Sequence, residues 1–372
     1  MIGAARLVEH HWVLPAPARS AAGTWGERRA LLLVLEDGDG LVGLGEAAPL
    51  PGYSFDTLAE AHADLRRLFG APLPERDRSV PCGVALGRAS AVLTSASARA
   101  ALEAALLDLW SRREGVPAWA LLAPAGASLS AGESHAKDAV AVAAWLPDGT
   151  QAALDAAHGA YARGARAFKV KLDAPRSLAE GLATLAALRR AFGAAVTLRA
   201  DANQSATEAE LDAEVKALRA LELEWLEEPA RAPLSKPLGV PIALDESLAG
   251  HPHAPALDAH PEVAALVLKP TSLGGLARCL ELAAHAEAHG RAAVASHTLE
   301  GPLGYLAAAT LALALPQRAA HGLGPYERVL TPLRSPALHP TRDELVRWRE
   351  PGFALELDAA LAGVVLDRTE RP

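Results

Sequence analysis

The chain is 372 residues long and 51% hydrophobic, which allows a large core and about two domains and excludes a disordered polypeptide. Its formal net charge of −8, with no long basic run, argues against nucleic acid and anionic membrane as partners. No stretch is apolar and long enough to read as a membrane span, and the opening residues carry no basic segment followed by an apolar one.

The first hundred or so residues read as a separate lobe. His10 and His11 fall in a segment read as a strand, with the pair on its surface. RALLLVLE (29–36) and LVGLGEA (41–47) flank Asp-Gly-Asp-Gly, a hairpin signal because Asp-Gly tolerates positive φ. One helix is expected from Ser54, as its N-cap, to Gly70, and another from about Ser95 to Arg113, stopped by Gly115. Strands followed by helices give an α+β capping domain over residues 1–120.

From about residue 138 strands and helices alternate. The candidate strands are AVAVAAWL, FKVKLD, VTLRADAN, LEWLEEP, PIALDES, ALVLKPT, AAVASHTL and RAAHGLG. Apolar residues at helical spacing mark AALDAAHGAYARGA, SLAEGLATLAALRRAF, EAELDAEVKALRAL and LARCLELAAHAEAHG between them. The helices after the fourth and fifth strands are short or irregular. Eight strand candidates alternating with helices favour an α/β class, a closed (β/α)8-type barrel over residues 121–340. After Pro340, DELVRWREPGFALELD carries a Pro-Gly turn and alternating apolar residues, so residues 341–372 are expected to return to the capping domain.

Five of these strands end in one charged residue: Lys171, Asp201, Glu227, Asp245 and Lys269. Side chains two apart share a strand face. That groups Lys169 with Lys171, Arg199 with Asp201 and Asn203, Trp225 with Glu227, Ala243 with Asp245 and Ser247, and Val267 with Lys269. In a parallel barrel those faces point inward at the carboxyl end, where the fold places its chemistry. Of 36 basic residues only six are lysine, and three of the six sit at the ends of two barrel strands. Arginine supplies most of the positive charge elsewhere, whereas lysine can lose its proton and act as a base.

As a set and in this order, K-x-K, D-x-N, E-E-P, D-E-S and K-P-x-x-x-G-G resemble the signature of the enolase superfamily, in its muconate-lactonizing subgroup. The likeness runs over nearly the whole chain, including LLDLWSRREGVPAWALL before the barrel and PGFALELD near the end. The lobe segment GLGEAAPLPGYSFDT is most similar to that of the o-succinylbenzoate synthases of menaquinone biosynthesis, and Arg199 matches a position those enzymes use. SHTLEGPLG, which holds Ser296 and His297, is similar to a variable family segment.

The resemblance implies removal of a proton alpha to a carboxylate, giving an enediolate whose charge a nearby cation favours. Asp201, Glu227 and Asp245 would hold Mg²⁺, with Mn²⁺ as a substitute, since carboxylate oxygens suit such hard ions. Glu227 is preferred to Glu228, and Asp245 to Glu246, on parity and on the family match. Lys171 would take the proton and return it to a departing hydroxide on the same face, and Lys269 opposite would stay cationic. A lysine base must be neutral, which from an ordinary value of about 10.4 costs about 4.6 kcal/mol at pH 7. Burial, the neighbouring Lys169 ammonium and a divalent cation all favour the neutral form. Lys169, Arg199, Asn203, Ser296 and Tyr53 would contact a small carboxylate substrate. The implied reaction is syn dehydration of 2-succinyl-6-hydroxy-2,4-cyclohexadiene-1-carboxylate. Racemisation of N-succinylamino acids, dipeptide epimerisation and muconate cycloisomerisation stand as alternatives. HGLGPYERV lacks the Asp-x-Asp usual in dipeptide epimerases.

Other residues carry weaker signals. His251, His253 and His260 read as a proline-broken solvated loop. His297 suits either the pocket or the core, and Trp25 and Tyr53 lie in lobe segments expected to close over the barrel. The only cysteines, Cys82 and Cys279, lie far apart and outside any metal-ligand spacing, which fits a reducing cytoplasm. Assembly into a homo-oligomer stays open.

Overall fold

Apolar alternation and the Asp-Gly turn fold the start of the chain into an antiparallel meander of β1 (Ile2–Ser20), β2 (Gly23–Asp37) and β3 (Val42–Ala47). Asp37 closes the second hairpin by accepting the N–H groups of Asp39 and Leu41, both at 2.9 Å. The structure is a computed structural model and describes residues 2–20, 23–70, 75–123, 139–172, 177–231, 234–249, 261–324 and 343–355. Helix α1 (Leu58–Arg66) begins at Thr57, not Ser54, because Thr57 and Glu60 form a reciprocal capping box. Ser54 instead accepts the Leu50 N–H and closes the turn that carries Tyr53. Helix α2 (Cys82–Ser90) was not expected, whereas α3 (Ala96–Glu114) ends at Gly115 with φ 68°, as its sequence requires. A Cβ on Gly43 or Gly45 would stand 2.2 or 1.9 Å from carbonyl oxygens of α3, so β3 lies directly on that helix. The short α4 (Ala118–Leu122) completes the lobe.

The barrel follows as β4 (Ala139–Ala141), β5 (Ala144–Trp145), α5 (Thr150–Arg163), β6 (Ala167–Lys171), α6 (Leu178–Phe192), β7 (Thr197–Asp201), α7 (Glu208–Ala220) and β8 (Trp225–Glu227). Then come β9 (Ile242–Leu244), β10 (Val263–Leu268), α8 (Pro270–Leu273), α9 (Leu276–Ala288), β11 (Ala292–Ala295) and α10 (Pro302–Ala314). Seven strands form one parallel sheet in the order β11-β10-β9-β8-β7-β6-β5. The eighth strand expected at 318–324 is reduced to two bridges, His321 with Val142 and Gly322 with Ser296. These join the two ends of the sheet, so the strands curl around an interior. Among the described residues, the links after β8 and β9 hold only a 3-10 turn at Glu246–Leu248.

Strand β12 (Glu344–Val346) pairs antiparallel with β4. Just beyond it, Phe353 N–H donates to Asp108 of α3 at 2.9 Å, and Ala118 N–H donates to Gly352 O at 2.9 Å. Three buried side chains dock the lobe on the barrel. Arg28, 2% exposed, donates to the carbonyls of Leu299, Pro49 and Ala48. Glu46 accepts from Gly301, Leu303 and Gly304 at the start of α10, and Glu103 accepts from Ala277 at the start of α9. Helix N-termini suit such acids, although burial pushes both carboxyls up to about 7. Among the described residues no helix is long and apolar enough to cross a membrane.

Candidate active site

Inside the barrel Trp225, Ala243, Ala265, Val267 and Val294 form a small apolar cluster of their own. Two residues further along the same strands come Glu227, Asp245, Lys269 and Ser296, so the interior turns from apolar to charged at the strand ends. The cavity there has a volume of about 340 Å³. It is lined by Lys169, Lys171, Arg199, Asp201, Asn203, Glu227, Lys269, Ser296 and Tyr53, together with Trp25, Trp145 and His297. Every residue named in the sequence as a metal, catalytic or substrate-contact candidate therefore lines this space, except Asp245, which is buried and paired with Lys269. His251, His253 and His260 lie outside the described residues.

Asp201 and Glu227 are register partners at the ends of β7 and β8. Lys169 bridges them, 2.8 Å from Asp201 Oδ2 and 2.7 Å from Glu227 Oε1. Asp245 receives Lys269 Nζ on one oxygen and Tyr53 Oη, at 3.2 Å, on the other. Tyr53 in turn accepts from Lys269 at 2.7 Å. Lys171 makes no hydrogen bond to these acids. Its Nζ donates to Arg19 O of the lobe at 3.0 Å and stands 5.6 Å from the Trp145 ring centre. Strands β6 and β10 are separated by β7, β8 and β9 in the sheet, so Lys171 and Lys269 approach the cavity from different sides.

Electrostatics explain what such a mouth favours. Burial opposes the charge on Lys169, but Asp201 and Glu227 outweigh it and hold the ammonium above its ordinary range. Burial also opposes the Asp201 carboxylate, and Lys169 and Lys171 overcome it, leaving Asp201 below its usual value. Glu227 goes the other way, pushed up to about 8 by burial and then by the Asp201 charge. Burial lifts Asp245 to about 6 against the pull of Lys269. Like charges buried together cannot all ionise without more positive charge nearby.

Among the described residues no three acid, histidine or cysteine side chains converge tightly enough to enclose a metal as they stand. Each carboxylate is turned onto an amine instead. The donor chemistry nevertheless fits a hard divalent ion: three buried carboxylates stand on consecutive strand ends, and burial pushes two of them above their ordinary range.

Two expected substrate contacts are largely engaged elsewhere. Arg199 donates to Glu224 at 2.6 Å and to Ala320 O at 2.8 Å, and its guanidinium stacks 3.9 Å above Trp225. Only its Nη2 lacks a partner. Ser296 donates to Gly322 O at 3.1 Å, while Asn203 Nδ2 is buried without a partner. His297 Nδ1 lies 3.2 Å from the Leu299 N–H, and Trp25 Nε1 donates to Pro51 O. Three participants escaped the sequence reading. Trp145 was legible in principle, as the one aromatic residue of the first candidate strand, AVAVAAWL, and it ends β5. Arg19 acts through its backbone carbonyl, which no side-chain pattern reveals. His321 is fully buried, and burial and then the Arg199 charge push it down to about 3.

A curled parallel sheet with a capping lobe carries acids and lysines collected at its carboxyl end, the end at which barrel enzymes place their active sites. A family model described as Enolase C-terminal domain-like matches residues 152–361, and one described as Mandelate racemase / muconate lactonizing enzyme, N-terminal domain, matches residues 2–123. The chain belongs to the enolase superfamily. It is 32% identical to an N-succinylamino acid racemase of Thermus thermophilus over 273 residues, 71% of this chain and 69% of the relative. It is also 32% identical to an o-succinylbenzoate synthase of Yersinia pseudotuberculosis over 307 residues, 80% of this chain and 82% of the relative. Among solved structures, a dipeptide epimerase from Methylococcus capsulatus complexed with Mg and the dipeptide L-Arg-D-Lys superposes with a TM-score of 0.77. That match is 28% identical and covers 95% of this chain and 99% of the other.

Proposed function

We propose that the protein is a Mg²⁺-dependent o-succinylbenzoate synthase, a lyase that dehydrates 2-succinyl-6-hydroxy-2,4-cyclohexadiene-1-carboxylate. The observation that carries this reading is Tyr53. It belongs to the lobe segment most similar to that of such synthases, and it bonds both Lys269 and Asp245. The Yersinia relative supports it, and the Mg in the epimerase complex supports the choice of metal.

Asp201, Glu227 and Asp245 would hold the ion, whose charge would favour ionisation of the substrate next to its carboxylate. Lys171 removes the proton alpha to that carboxylate, since its nitrogen is bonded to the Arg19 carbonyl and to none of the three acids. The C–H electron pair becomes part of an enediolate. That pair then expels the neighbouring hydroxide, which Lys171 protonates on the same face to give water and the aromatic ring. Lys269 balances charge from the other side. The lobe, docked through Arg28, shields the mouth from bulk water.

Incubating the purified protein with this diene and Mg²⁺ tests the proposal. The diene absorbance is expected to fall to that of the aromatic product, and a trace no faster than the uncatalysed control would refute the assignment. Two lysines reaching one cavity also suit a racemase, and the Thermus relative favours N-succinylamino acids as substrates for that second reading. Deuterium uptake at the alpha carbon of such substrates in D₂O would reveal it.

A further inference from the structure

The second acid of the Glu227-Glu228 pair faces away from the cavity yet is buried to 1% exposure. Its carboxylate accepts four hydrogen bonds. Oε1 takes the N–H groups of Asp245 at 2.7 Å and Ser247 at 2.8 Å, and Oε2 takes Ser247 Oγ at 2.7 Å and Gln204 Nε2 at 2.9 Å. A carboxylate offers about four acceptor positions, so none is left for a cation. The backbone of Glu228 is held as firmly. Its N–H donates to Ala243 O at 3.0 Å, and its carbonyl accepts the Gln204 N–H at 2.8 Å.

These contacts join the ends of three strands, β7, β8 and β9, which are the ends that carry Asp201, Glu227 and Asp245. The backbone there takes a shape that side chains ordinarily avoid. Asn203, Gln204 and Glu228 have φ of 45°, 59° and 40°, and none is glycine. Left-handed residues of this kind persist only where surrounding contacts fix them. The four bonds to the Glu228 carboxylate are such contacts.

We propose that Glu228 is a positioning residue that sets the mutual spacing of Asp201, Glu227 and Asp245. The inference rests on the metal reading given above. Groups that orient ligating side chains from behind typically alter metal affinity 10- to 100-fold when removed.

Calorimetric titration of Mg²⁺ into the full-length protein tests this, with wild type measured first. Glu228→Leu leaves the N–H groups of Asp245 and Ser247 without an acceptor, and its Kd is expected to rise by about 10- to 100-fold. Glu228→Gln keeps one acceptor oxygen, and both the Gln204 amide and the Ser247 hydroxyl can reverse roles, so it is expected to restore most of the affinity. If Glu228→Leu does not fold, Glu228→Asp serves instead. It keeps the charge but is too short to span all four donors, and weaker Mg²⁺ binding is expected again. In turnover, kcat is expected to fall more than KM rises. A purely structural role would lower the melting temperature and leave the Kd of the folded protein unchanged. Folded variants that bind Mg²⁺ as tightly as wild type would overturn the role of Glu228. No binding by wild type would overturn the metal reading itself.

Discussion

Tyr53 Oη lies 2.7 Å from Lys269 Nζ and 3.2 Å from Asp245 Oδ1, so one phenol on the capping lobe touches both a lysine and a carboxylate at the barrel mouth. The hydroxyl accepts from the first and donates to the second. Tyr53→Phe removes both bonds while keeping the ring. Its kcat/KM is expected to fall about tenfold, or about 1.4 kcal/mol, the scale of one net hydrogen bond. The melting temperature should barely move. Kinetics equal to wild type would make the contact incidental.

Lys171→Ala removes the proposed base without touching a carboxylate of the cluster. Turnover is expected to drop by about 10³-fold or more, with Mg²⁺ binding nearly intact by calorimetry. Lys269→Arg should also be damaging, because a planar guanidinium cannot take the place of an ammonium between Asp245 and Tyr53. Turnover near wild type in the alanine variant would remove Lys171 from the chemistry.

Glu227→Ala should act first on the metal. Loss of a direct oxygen donor is expected to weaken Mg²⁺ binding by at least about 100-fold, the upper end of what outer partners contribute. Activity at saturating Mg²⁺ should recover in part. Unchanged affinity would show that Glu227 is not a ligand.

His321 gives a pH dependence of stability whose sign is fixed by its surroundings. Its Nδ1 accepts the Ala295 N–H, and burial and then the Arg199 charge push the ring down to about 3. An unfolded histidine titrates near 6.5, so between about pH 6.5 and 3 the unfolded chain binds the extra proton. Stability from this residue is therefore complete above that window and is lost as pH falls through it, by about 2 kcal/mol at pH 5. In His321→Asn the amide oxygen can still accept from Ala295, and urea unfolding should show a shallower loss between pH 8 and pH 5. Equal losses in the two proteins would contradict the neutral, buried ring.

The barrel, and the gathering of the candidate residues around one cavity, were legible because strand geometry has a short period. Parity alone grouped Lys169 with Lys171 and Arg199 with Asp201, and it separated Glu227 from Glu228. Helix ends set by local chemistry were partly legible: Gly115 stopped α3 as expected, but Thr57 displaced Ser54 because Glu60 completes its capping box. What stayed hidden depends on distant partners. Nothing local to Glu228 reveals that Ser247 and Gln204 converge on it, and nothing near Arg199 shows that Glu224 and Ala320 take most of its donors. The eighth strand was over-read, since 318–324 pairs only through His321 and Gly322.

A crystal structure of the protein grown with Mg²⁺ tests the account most directly. The expected result is one ion with an oxygen from each of Asp201, Glu227 and Asp245 at about 2.0–2.1 Å, and with Lys169 and Lys269 no longer paired to those carboxylates. Carboxylates still paired to the two lysines at saturating Mg²⁺, with no ion among them, would contradict it.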